Sequence, residues 1–318
     1  MKTIPDSRAA LPFVAPHVHR TPLLSSRVLG EETGFEVRLK AECLQRTGSY
    51  KIRGPLYKLA RLSAEERDRG VVCSSAGNHA QGVALAAAML GVRAVVVMAE
   101  NATPAKVEAT RGYGAEVVLQ GSIWDEADEK ARELVASEGL TYVHPFDDAD
   151  LIAGQGTVGL EIHEDWPEAD VVVVPIGGGG LVSGIASALA QVGAETRVVG
   201  VESADGAAMK ASVEAGERVT LERCETIVDG LRVQRVGERT FELVRRFVDE
   251  IVTVPDEAIF ANVPWTMTRT KLVVEGAAAA TVAALREGRV EAPPGTRVVC
   301  VLSGGNLDLS QLRGLRWN

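Results

Sequence analysis

The sequence has 318 residues, of which 46% are hydrophobic and 24% are charged. A chain of this length holds more than one simple core, and this composition is typical of a globular protein rather than a disordered one. The formal net charge of −9 and the aromatic content of 4% argue against a nucleic-acid partner, because such partners require basic surfaces and stacking aromatic side chains.

Membrane insertion and export are also disfavoured. No apolar run approaches the roughly 20 residues of a membrane-spanning helix, and the first ten residues lack the apolar core and the cleavage site of a signal peptide. The four cysteines, Cys43, Cys73, Cys224 and Cys300, are far apart and form no Cys-x-x-Cys pair. We therefore predict a cytoplasmic protein with free thiols, without a structural zinc ion and without a membrane partner.

Short apolar or β-branched runs alternate with helical segments along the chain. The runs predicted as strands are Val37–Ala41, Gly70–Ser74, Ala94–Met98, Glu116–Leu119, Val171–Pro175, Val198–Glu202, Ile251–Val254 and Val298–Leu302. The segments predicted as helices include Ala80–Leu90, Ile123–Ser137, Gly180–Gln191 and Val274–Glu287. A further helix is predicted to begin at Pro104, with Thr103 as its N-cap. This alternation predicts an α/β fold with mostly parallel sheets flanked by helices.

Three of the predicted strands run directly into glycine-rich or polar loops. The loops are Ser74–His79, Ile176–Gly180 and Ser303–Asn306. In open α/β sheets, ligands bind at the carboxyl ends of the strands, and glycine lets the backbone approach a ligand closely. The three strand ends therefore predict one composite site for a molecule with several polar groups.

An apolar strand and an apolar helix are separated by four successive glycines, Gly177, Gly178, Gly179 and Gly180. A flexible turn is one interpretation, but four glycines lose much conformational entropy on folding, so a phosphate cup of backbone N–H groups is favoured. A nicotinamide site is the competing hypothesis, because Glu202 ends the next strand, where such proteins bind a ribose. The G-x-G-x-x-G spacing fails, since Val182 and Ser183 occupy the positions of the third glycine. This failure weakens the nicotinamide hypothesis.

Lys51 lies in the stretch Gln45–Gly54, after the turn-forming residues Thr47–Ser49. A lysine at the start of a buried helix can have a lowered pKa and act as a nucleophilic amine. Most lysines, however, are solvated surface charges. From local physics alone, both interpretations of Lys51 stay open.

Four motifs in a fixed order make the sequence resemble the threonine dehydratases (threonine ammonia-lyases). They are Gln45–Gly54, Ser75–Gly82, Gly177–Gly180 and Ser303–Asn306, and the similarity extends from about Thr21 to the end of the chain. This family belongs to the pyridoxal-phosphate enzymes of fold type II, which have two domains and are shaped like the tryptophan synthase β-subunit. Serine racemases are close relatives. The sequence is most similar to the short threonine dehydratases, so we expect no regulatory domain and no feedback by isoleucine.

The resemblance implies a role for each cofactor-binding residue. Lys51 would carry pyridoxal 5′-phosphate as a Schiff base and later remove the α-proton of the substrate. The four glycines Gly177–Gly180 would bind the cofactor phosphate, Asn78 the phenolic oxygen, and Ser303 the pyridine nitrogen. A neutral serine at that nitrogen makes the ring a weaker electron sink than an aspartate would, which favours prompt loss of the β-hydroxyl group.

The same resemblance assigns the substrate to the loop after the second predicted strand. Ser75, Ala76, Gly77 and His79 are expected to hold the substrate and its carboxylate, with an ordinary polar loop residue as the alternative for His79. Serine racemases place a serine, which acts as a second base, where Ala76 stands. Because alanine cannot transfer a proton, we expect elimination without efficient racemisation.

Three further residues match family positions near the site. Gly230 matches a glycine near the substrate side chain, and Glu275 matches a glutamate near the cofactor ring, with a buried, hydrogen-bonded acid as the alternative for Glu275. Glu202 matches a glutamate near a divalent or alkali cation, and a helix-capping acid is the alternative there. One carboxylate with carbonyl groups and waters can hold such a cation.

By the same resemblance, we expect a large cofactor-binding domain of residues 1–47 plus 149–318 and a small mobile domain of residues 48–148. The expected reaction converts L-threonine or L-serine to a 2-oxo acid and ammonia, in a homodimer or homotetramer. Another β-hydroxy amino acid stays open as the substrate: hydroxyaspartate, phenylserine or a compound of a hydroxyectoine pathway. A nicotinamide-dependent dehydrogenase and a catalytically silent cofactor-binding protein stay open as alternative functions.

Overall fold

Two mostly parallel β-sheets form the frame of the protein in the computed structural model, which describes residues 4–308. The strands in chain order are β1 Leu23–Ser25, β2 Glu36–Lys40, β3 Val71–Ser74, β4 Ala94–Met98, β5 Glu116–Leu119, β6 Thr141–Tyr142, β7 Val171–Pro175, β8 Arg197–Ser203, β9 Glu250–Val254 and β10 Arg297–Val301. The helices are α1 Ser7–Val14, α2 Arg27–Thr33, α3 Arg53–Ala60, α4 Ala64–Arg69, α5 Asn78–Leu90, α6 Pro104–Gly112, α7 Trp124–Glu138, α8 Ala149–Asp165, α9 Gly180–Gln191, α10 Ala208–Ala215, α11 Glu238–Phe247, α12 Asp256–Thr270 and α13 Gly276–Arg286. This architecture confirms the predicted fold class.

The larger sheet has six strands in the order β1-β2-β10-β7-β8-β9, and the smaller sheet has four in the order β5-β4-β3-β6. All neighbouring strands are parallel except β1 and β2. The four strands of the smaller sheet lie between residues 71 and 142, inside the span predicted as the small domain. The boundaries of that domain, at residues 48 and 148, stay a prediction.

All eight predicted strands form, and none of their ends differs from the prediction by more than one residue. The helix after Thr103 begins at Pro104, as predicted, although the Thr103 side chain makes no capping hydrogen bond. The sequence pattern missed β1 and β6, which have three and two residues. Strands this short contain too few residues to show a period of two.

Burial on both faces explains the apolar runs. In β7, Val171 and Val173 pack into one core with α13, while Val172 and Val174 pack into a second core with α9. Successive side chains of a strand point to opposite faces, so a strand covered on both sides is apolar at every position. The parallel register of β7 and β10 then places their carboxyl ends, and the loops that follow them, side by side.

Two further predictions concern the cysteines and membrane-spanning helices. All four cysteines are free, and Cys43, Cys73 and Cys300 are buried, as predicted for free thiols. Within residues 4–308, no helix is long and apolar enough to cross a membrane.

Candidate active site

Lys51 lies on a tight turn that leads into α3. Thr47 and Gly48 adopt left-handed backbone conformations, with φ of 61° and 70°, and a single 3₁₀ turn then covers Tyr50–Ile52. Lys51 therefore precedes α3 rather than lying within it. Its Nζ donates a hydrogen bond to the carbonyl oxygen of Pro145 at 2.9 Å.

The environment of Lys51 favours the neutral amine. Solvent reaches part of the residue, but protein atoms surround the ammonium group, and this desolvation lowers the pKa of Lys51 to about 8. The negative charge of Glu275 acts in the opposite direction. Burial raises the pKa of Glu275 itself to about 7, against the effect of the hydrogen bond from Asn78. Near neutral pH, Lys51 therefore has a larger nucleophilic fraction than a solvated lysine.

Asn78 is held by hydrogen bonds on both sides of its amide. Its Nδ2 donates to Oε1 of Glu275 at 2.8 Å, and its Oδ1 accepts from Nδ2 of Asn306 at 2.8 Å. Nδ2 of Asn306 also donates to the carbonyl oxygen of Thr47 at 2.7 Å. Because both N–H groups of Asn306 are used, Asn306 determines which way the Asn78 amide faces, and one N–H of Asn78 remains for a ligand.

The loop after β10 lies against the segment before α3. The backbone N–H of Tyr50 donates to the carbonyl oxygen of Ser303 at 3.1 Å, and that of Glu275 donates to the carbonyl oxygen of Gly304 at 3.1 Å. Ser49 and Gly304 form an isolated antiparallel bridge. Ser303 is only 3% exposed, so its hydroxyl group is shielded from bulk water at the junction of these segments.

Gly177–Gly180 connect β7 to α9 as a loop with unpaired N–H groups. No protein acceptor in the part of the chain that the structure describes takes a hydrogen bond from them, and Gly180 begins α9, where the helix dipole is positive. A Cβ atom on Gly178 would lie 2.2 Å from the ring of Phe146, and one on Gly177 would lie 2.6 Å from the carbonyl oxygen of Gly230. The loop therefore has room for backbone only, and its N–H groups suit an anion such as phosphate.

Gly179 differs from the other three glycines in its backbone conformation. It has a left-handed φ of 90° at the N-cap position of α9, which favours glycine because residues with a Cβ atom are strained there. A Cβ atom on Gly179 would also lie 2.6 Å from Cε of Met209. Its carbonyl oxygen accepts the N–H of Ser183 at 3.0 Å, which begins the hydrogen bonds of α9. Gly179 thus turns the chain from the strand into the helix, and phosphate binding by the four glycines stays a prediction.

The residues after β3 divide into an open loop and a buried helix start. The N–H group of Gly77 donates to Oγ of Ser75 at 3.2 Å, and a Cβ atom on Gly77 would meet nothing within 4 Å. Ala76 packs against the core of the smaller sheet. His79 is 3% exposed and contacts the carbonyl oxygen of Val143 through Nε2 at 2.9 Å, and burial lowers its pKa to about 3. The substrate contacts assigned to this loop stay predictions.

Gly230 lies against the tetraglycine loop. A Cβ atom on Gly230 would lie 2.8 Å from Cβ of Ala277, which leaves no room for a side chain there. The adjacent Asp229 forms an ion pair with Lys106 of α6, with 3.3 Å between Oδ2 and Nζ. This pair joins the helix after β4 to the loop that carries Gly230, although an exposed ion pair contributes little to stability.

Both carboxylate oxygens of Glu202 are engaged by the first turn of α10. They accept hydrogen bonds from the N–H groups of Met209 and Lys210, each at 2.8 Å. Burial raises the pKa of Glu202 to about 7, and the two backbone hydrogen bonds act against this rise. Among residues 4–308, no group of three His, Cys, Asp or Glu side chains could hold a metal ion. The helix-capping alternative for Glu202 is thus observed, and the cation stays a prediction.

The segment of residues 143–148, which connects β6 to α8, completes the site and was not predicted from the sequence. Pro145 accepts the hydrogen bond from Lys51, and the ring of Phe146 covers Gly178. This loop follows the two-residue strand β6, so it is a fourth strand-end loop whose strand was too short to detect. The available sequence signal for this loop was the run Pro145–Asp147, which follows the apolar Val143 and the polar His144.

Asp147 anchors this segment to the start of α11. Its carboxylate accepts the backbone N–H groups of Glu238, Arg239 and Thr240 at 3.0, 2.9 and 3.1 Å, which caps the start of α11. On the other side, the N–H of Asp147 donates to Nδ1 of His144 at 2.8 Å. The segment over the tetraglycine loop is therefore anchored by several hydrogen bonds.

The chemistry of these groups fits pyridoxal phosphate. The Oγ atoms of Ser49 and Ser74 are buried and lack a protein hydrogen-bond partner; an unpaired buried polar group is unfavourable unless a ligand or water pairs with it. The Lys51 amine can react with an aldehyde, the N–H groups of Gly177–Gly180 can bind a phosphate, and Asn78 can donate to a phenolic oxygen.

The attachment of pyridoxal phosphate to Lys51 is expected to depend on pH with a midpoint near 8. Only the neutral amine attacks an aldehyde, so below the midpoint the rate should rise about tenfold per pH unit and then level off above it. Glu275→Gln removes a negative charge that stabilises the ammonium form, so the midpoint should move to lower pH.

Stopped-flow absorbance measures this rate across pH. Glu287→Gln changes an exposed acid at the end of α13 and serves as the control. A wild-type midpoint close to that of a solvated lysine would contradict the desolvated environment of Lys51.

The family of this chain follows from its similarity to known proteins. The family described as pyridoxal-phosphate dependent enzyme matches residues 14–304. The chain is 47% identical to the L-threonine ammonia-lyase of Thermotoga maritima, over 98% of this chain and 77% of that protein. It is 44% identical to the catabolic L-threonine dehydratase of Escherichia coli K12, over 97% of this chain and 94% of that protein. The structure of maize serine racemase matches with a TM-score of 0.93 at 35% identity, and covers 98% of this chain and 96% of that one. This chain belongs to the family of pyridoxal-phosphate-dependent enzymes.

Proposed function

We propose that this enzyme converts L-threonine or L-serine to a 2-oxo acid and ammonia by eliminating the β-hydroxyl group. The observation that carries the proposal is the amine of Lys51, whose pKa is lowered to about 8 next to the hydrogen-bonded pair Asn78–Glu275. The names of the two relatives at 47% and 44% identity, an L-threonine ammonia-lyase and an L-threonine dehydratase, support the substrate class. Water leaves in the elimination and is taken up again when the unsaturated product hydrolyses to the 2-oxo acid and ammonia.

Lys51 has two tasks in this proposal. Its amine would hold the cofactor through the aldehyde and, once free, would remove the proton from the substrate Cα. The bound cofactor supplies an electron sink for the broken C–H bond. The carbonyl oxygen of Pro145, 2.9 Å from Nζ, holds the amine in place while it gains and loses a proton.

Neutral donors hold the cofactor and the substrate. The N–H groups of Gly177–Gly180 would bind the phosphate, the Asn78 amide would donate to the phenolic oxygen, and the Ser303 hydroxyl would pair with the pyridine nitrogen. Because Ser303 carries no charge, it would leave a bound cofactor a weaker electron sink than an aspartate would, which would favour elimination of the β-hydroxyl group. The loop Ser75–Gly77, at the start of α5, binds the substrate carboxylate.

A nicotinamide-dependent dehydrogenase is not supported. Such an enzyme needs a free acid at Glu202 to bind a ribose, whereas both oxygens of this carboxylate accept hydrogen bonds from Met209 and Lys210. Membership of the pyridoxal-phosphate family points to the other cofactor.

Several properties beyond the reaction belong to the same proposal. They are a mobile small domain of residues 48–148, a homodimer or homotetramer, a cation near Glu202 and a cytoplasmic location. Light scattering of the purified protein measures the number of chains, and activity after treatment with a chelator and re-addition of single cations tests the cation.

The direct test of the reaction is release of 2-oxo acid and ammonia from a panel of amino acids. The panel contains L-threonine, L-serine, threo-hydroxyaspartate and phenylserine. The highest kcat/KM with L-threonine or L-serine supports the proposal, whereas a higher value with either of the others reassigns the substrate. A protein that binds the cofactor but releases ammonia from none of them is a catalytically silent relative.

Ala76→Ser is expected to add racemisation to elimination. The new hydroxyl group would offer a proton acceptor and donor in the loop between β3 and α5, where Ala76 is half-buried. A positioned acid–base group contributes about 10²–10⁴-fold in rate, so conversion of L-serine to D-serine should rise by on the order of 100-fold or more. Chiral chromatography measures the product, and Ala102→Ser, also half-buried at the smaller sheet, is the control. An unchanged rate of D-serine formation would mean that a hydroxyl at position 76 does not reach the substrate.

A further inference from the structure

Four charged side chains lie buried where α3 begins, next to the turn that carries Lys51. Lys40, Glu42 and Arg53 are 0% exposed, and Glu161 is 3% exposed. Two positive and two negative charges balance, so the group is neutral as a whole. We refer to these four residues as the buried ion network.

Arg53 is the centre of the network, because two carboxylates bind its guanidinium group. Nε and Nη2 donate to Glu42 at 2.9 and 2.8 Å, and Nη1 and Nη2 donate to Glu161 at 2.7 and 3.0 Å. Nη1 also donates to Oγ1 of Thr157 at 3.1 Å, and Lys40 donates to Glu161 at 2.6 Å. Paired hydrogen bonds of this kind fix the position and plane of a guanidinium group.

Stability alone does not account for such a network. Moving ions out of water is unfavourable, and apolar replacements of buried ion pairs are often neutral or stabilising. A fully hydrogen-bonded polar network does, however, fix the mutual geometry of the segments that carry it. Here those segments are β2, the short turn after β2, the start of α3, and α8.

Lys51 is connected to the buried ion network through the backbone at the start of α3, because only Ile52 separates it from Arg53. Two residues of 3₁₀ or α-helical backbone turn by roughly 200–240°, so the side chains of Lys51 and Arg53 project to different sides. The backbone between them has no slack, because a Cβ atom on Gly82 would lie 2.5 Å from the carbonyl oxygen of Lys51, and one on Gly154 would lie 2.6 Å from that of Arg53. Close packing on both carbonyl groups therefore couples the backbone of Lys51 to that of Arg53.

We propose that Arg53 is a positioning residue: the buried ion network holds it so that Nζ of Lys51 is directed at the Pro145 carbonyl and the site proposed for the cofactor aldehyde. Arg53 acts through the backbone and does not touch the cofactor. The inference rests on the proposed function, since it concerns the amine that would bind pyridoxal phosphate.

Arg53→Lys tests the inference, because it keeps the buried charge and loses the paired hydrogen bonds. The readouts are Kd for pyridoxal phosphate and the pH midpoint of its attachment, neither of which depends on turnover. Misplacement of a reacting group by about 1 Å can slow its reaction about 100-fold, so attachment of pyridoxal phosphate should become slower and its pH midpoint should shift. Because a misplaced amine also forms a less stable attachment, we expect Kd to rise roughly tenfold or more. Leu29→Ala, which opens a cavity in the core under α2, is the control: it lowers Tm and changes neither readout.

Thr157→Val is a milder second variant, which removes one acceptor of Arg53 and keeps the side-chain shape. It should raise Kd less than Arg53→Lys does, in the same direction. Variants that have a lowered Tm with the wild-type Kd and midpoint would overturn the positioning role and leave the network as a stability element. A wild-type protein that binds no pyridoxal phosphate would instead overturn the proposed function, so the two failures are distinguishable.

Discussion

Replacing Lys51 by alanine is expected to abolish turnover and leave the fold intact. The change removes the amine that we propose both as the point of covalent attachment and as the base for the substrate Cα proton. The base alone is worth about 10²–10⁴-fold in rate, so kcat/KM should fall by on the order of 10⁴-fold or more. The Lys51 amine donates a hydrogen bond to the Pro145 carbonyl, and loss of one such bond should change the free energy of unfolding by only about 0.5–1.5 kcal/mol.

Borohydride reduction and peptide mass analysis locate the attachment directly. In the wild type, the reduced cofactor should be found on the peptide that contains Lys51, and Lys51→Ala should carry none. Lys130→Ala, on the surface of α7, is the matched control and should behave as the wild type. Reduced cofactor on a different lysine, in the wild type or in Lys51→Ala, would contradict the assignment.

Gly178→Ala is expected to cause the largest loss of cofactor affinity among substitutions outside Lys51. The new Cβ atom would lie 2.2 Å from the ring of Phe146, and the ring has little freedom to retreat because Asp147 caps α11. Either the ring or the loop must shift, which turns the N–H groups away from the phosphate. We expect Kd for pyridoxal phosphate to rise by on the order of 100-fold, with overpacking that destabilises the fold by about 1–3 kcal/mol.

A cofactor titration followed by equilibrium unfolding measures both effects. Gly112→Ala introduces the same methyl group at a position with no neighbouring atom within 4 Å. It should therefore neither raise Kd for pyridoxal phosphate nor lower the free energy of unfolding. In the double variant Gly178→Ala with Phe146→Ala, the ring no longer opposes the methyl group, and Kd should recover partly. A wild-type Kd for Gly178→Ala would mean that the tetraglycine loop does not bind the phosphate.

The strands were predictable because their pattern follows from burial. A run such as Val171–Val174 is apolar throughout because helices cover both faces of the larger sheet. The position of the loop Gly177–Gly180 between a strand and a helix start was predictable for a related reason, since the strand before it and the helix after it can both be identified locally. The strand β6 was not predictable, and the contacts of Pro145 and Phe146 that follow it were missed with it.

The lowered pKa of Lys51, which supports its proposed role as the reactive lysine, was not predictable from its neighbours in the chain. Its pKa depends on burial and on the charge of Glu275, which lies far away in the sequence. The orientation of Asn78 likewise depends on Asn306 and Glu275, whose hydrogen bonds join three separate segments. No local pattern encodes such contacts.

The sequence by itself therefore determined the α/β class, eight of the ten strands in residues 4–308, the position of the glycine loop between β7 and α9 and, through four motifs, the resemblance to threonine dehydratases. The tertiary structure alone revealed the hydrogen bond from Lys51 to the Pro145 carbonyl and the buried ion pairs of Arg53 with Glu42 and Glu161. The physical reason is that periodicity and backbone preference act over a few residues, whereas desolvation, ion pairing and hydrogen-bond direction depend on the coordinates of residues that only folding brings together.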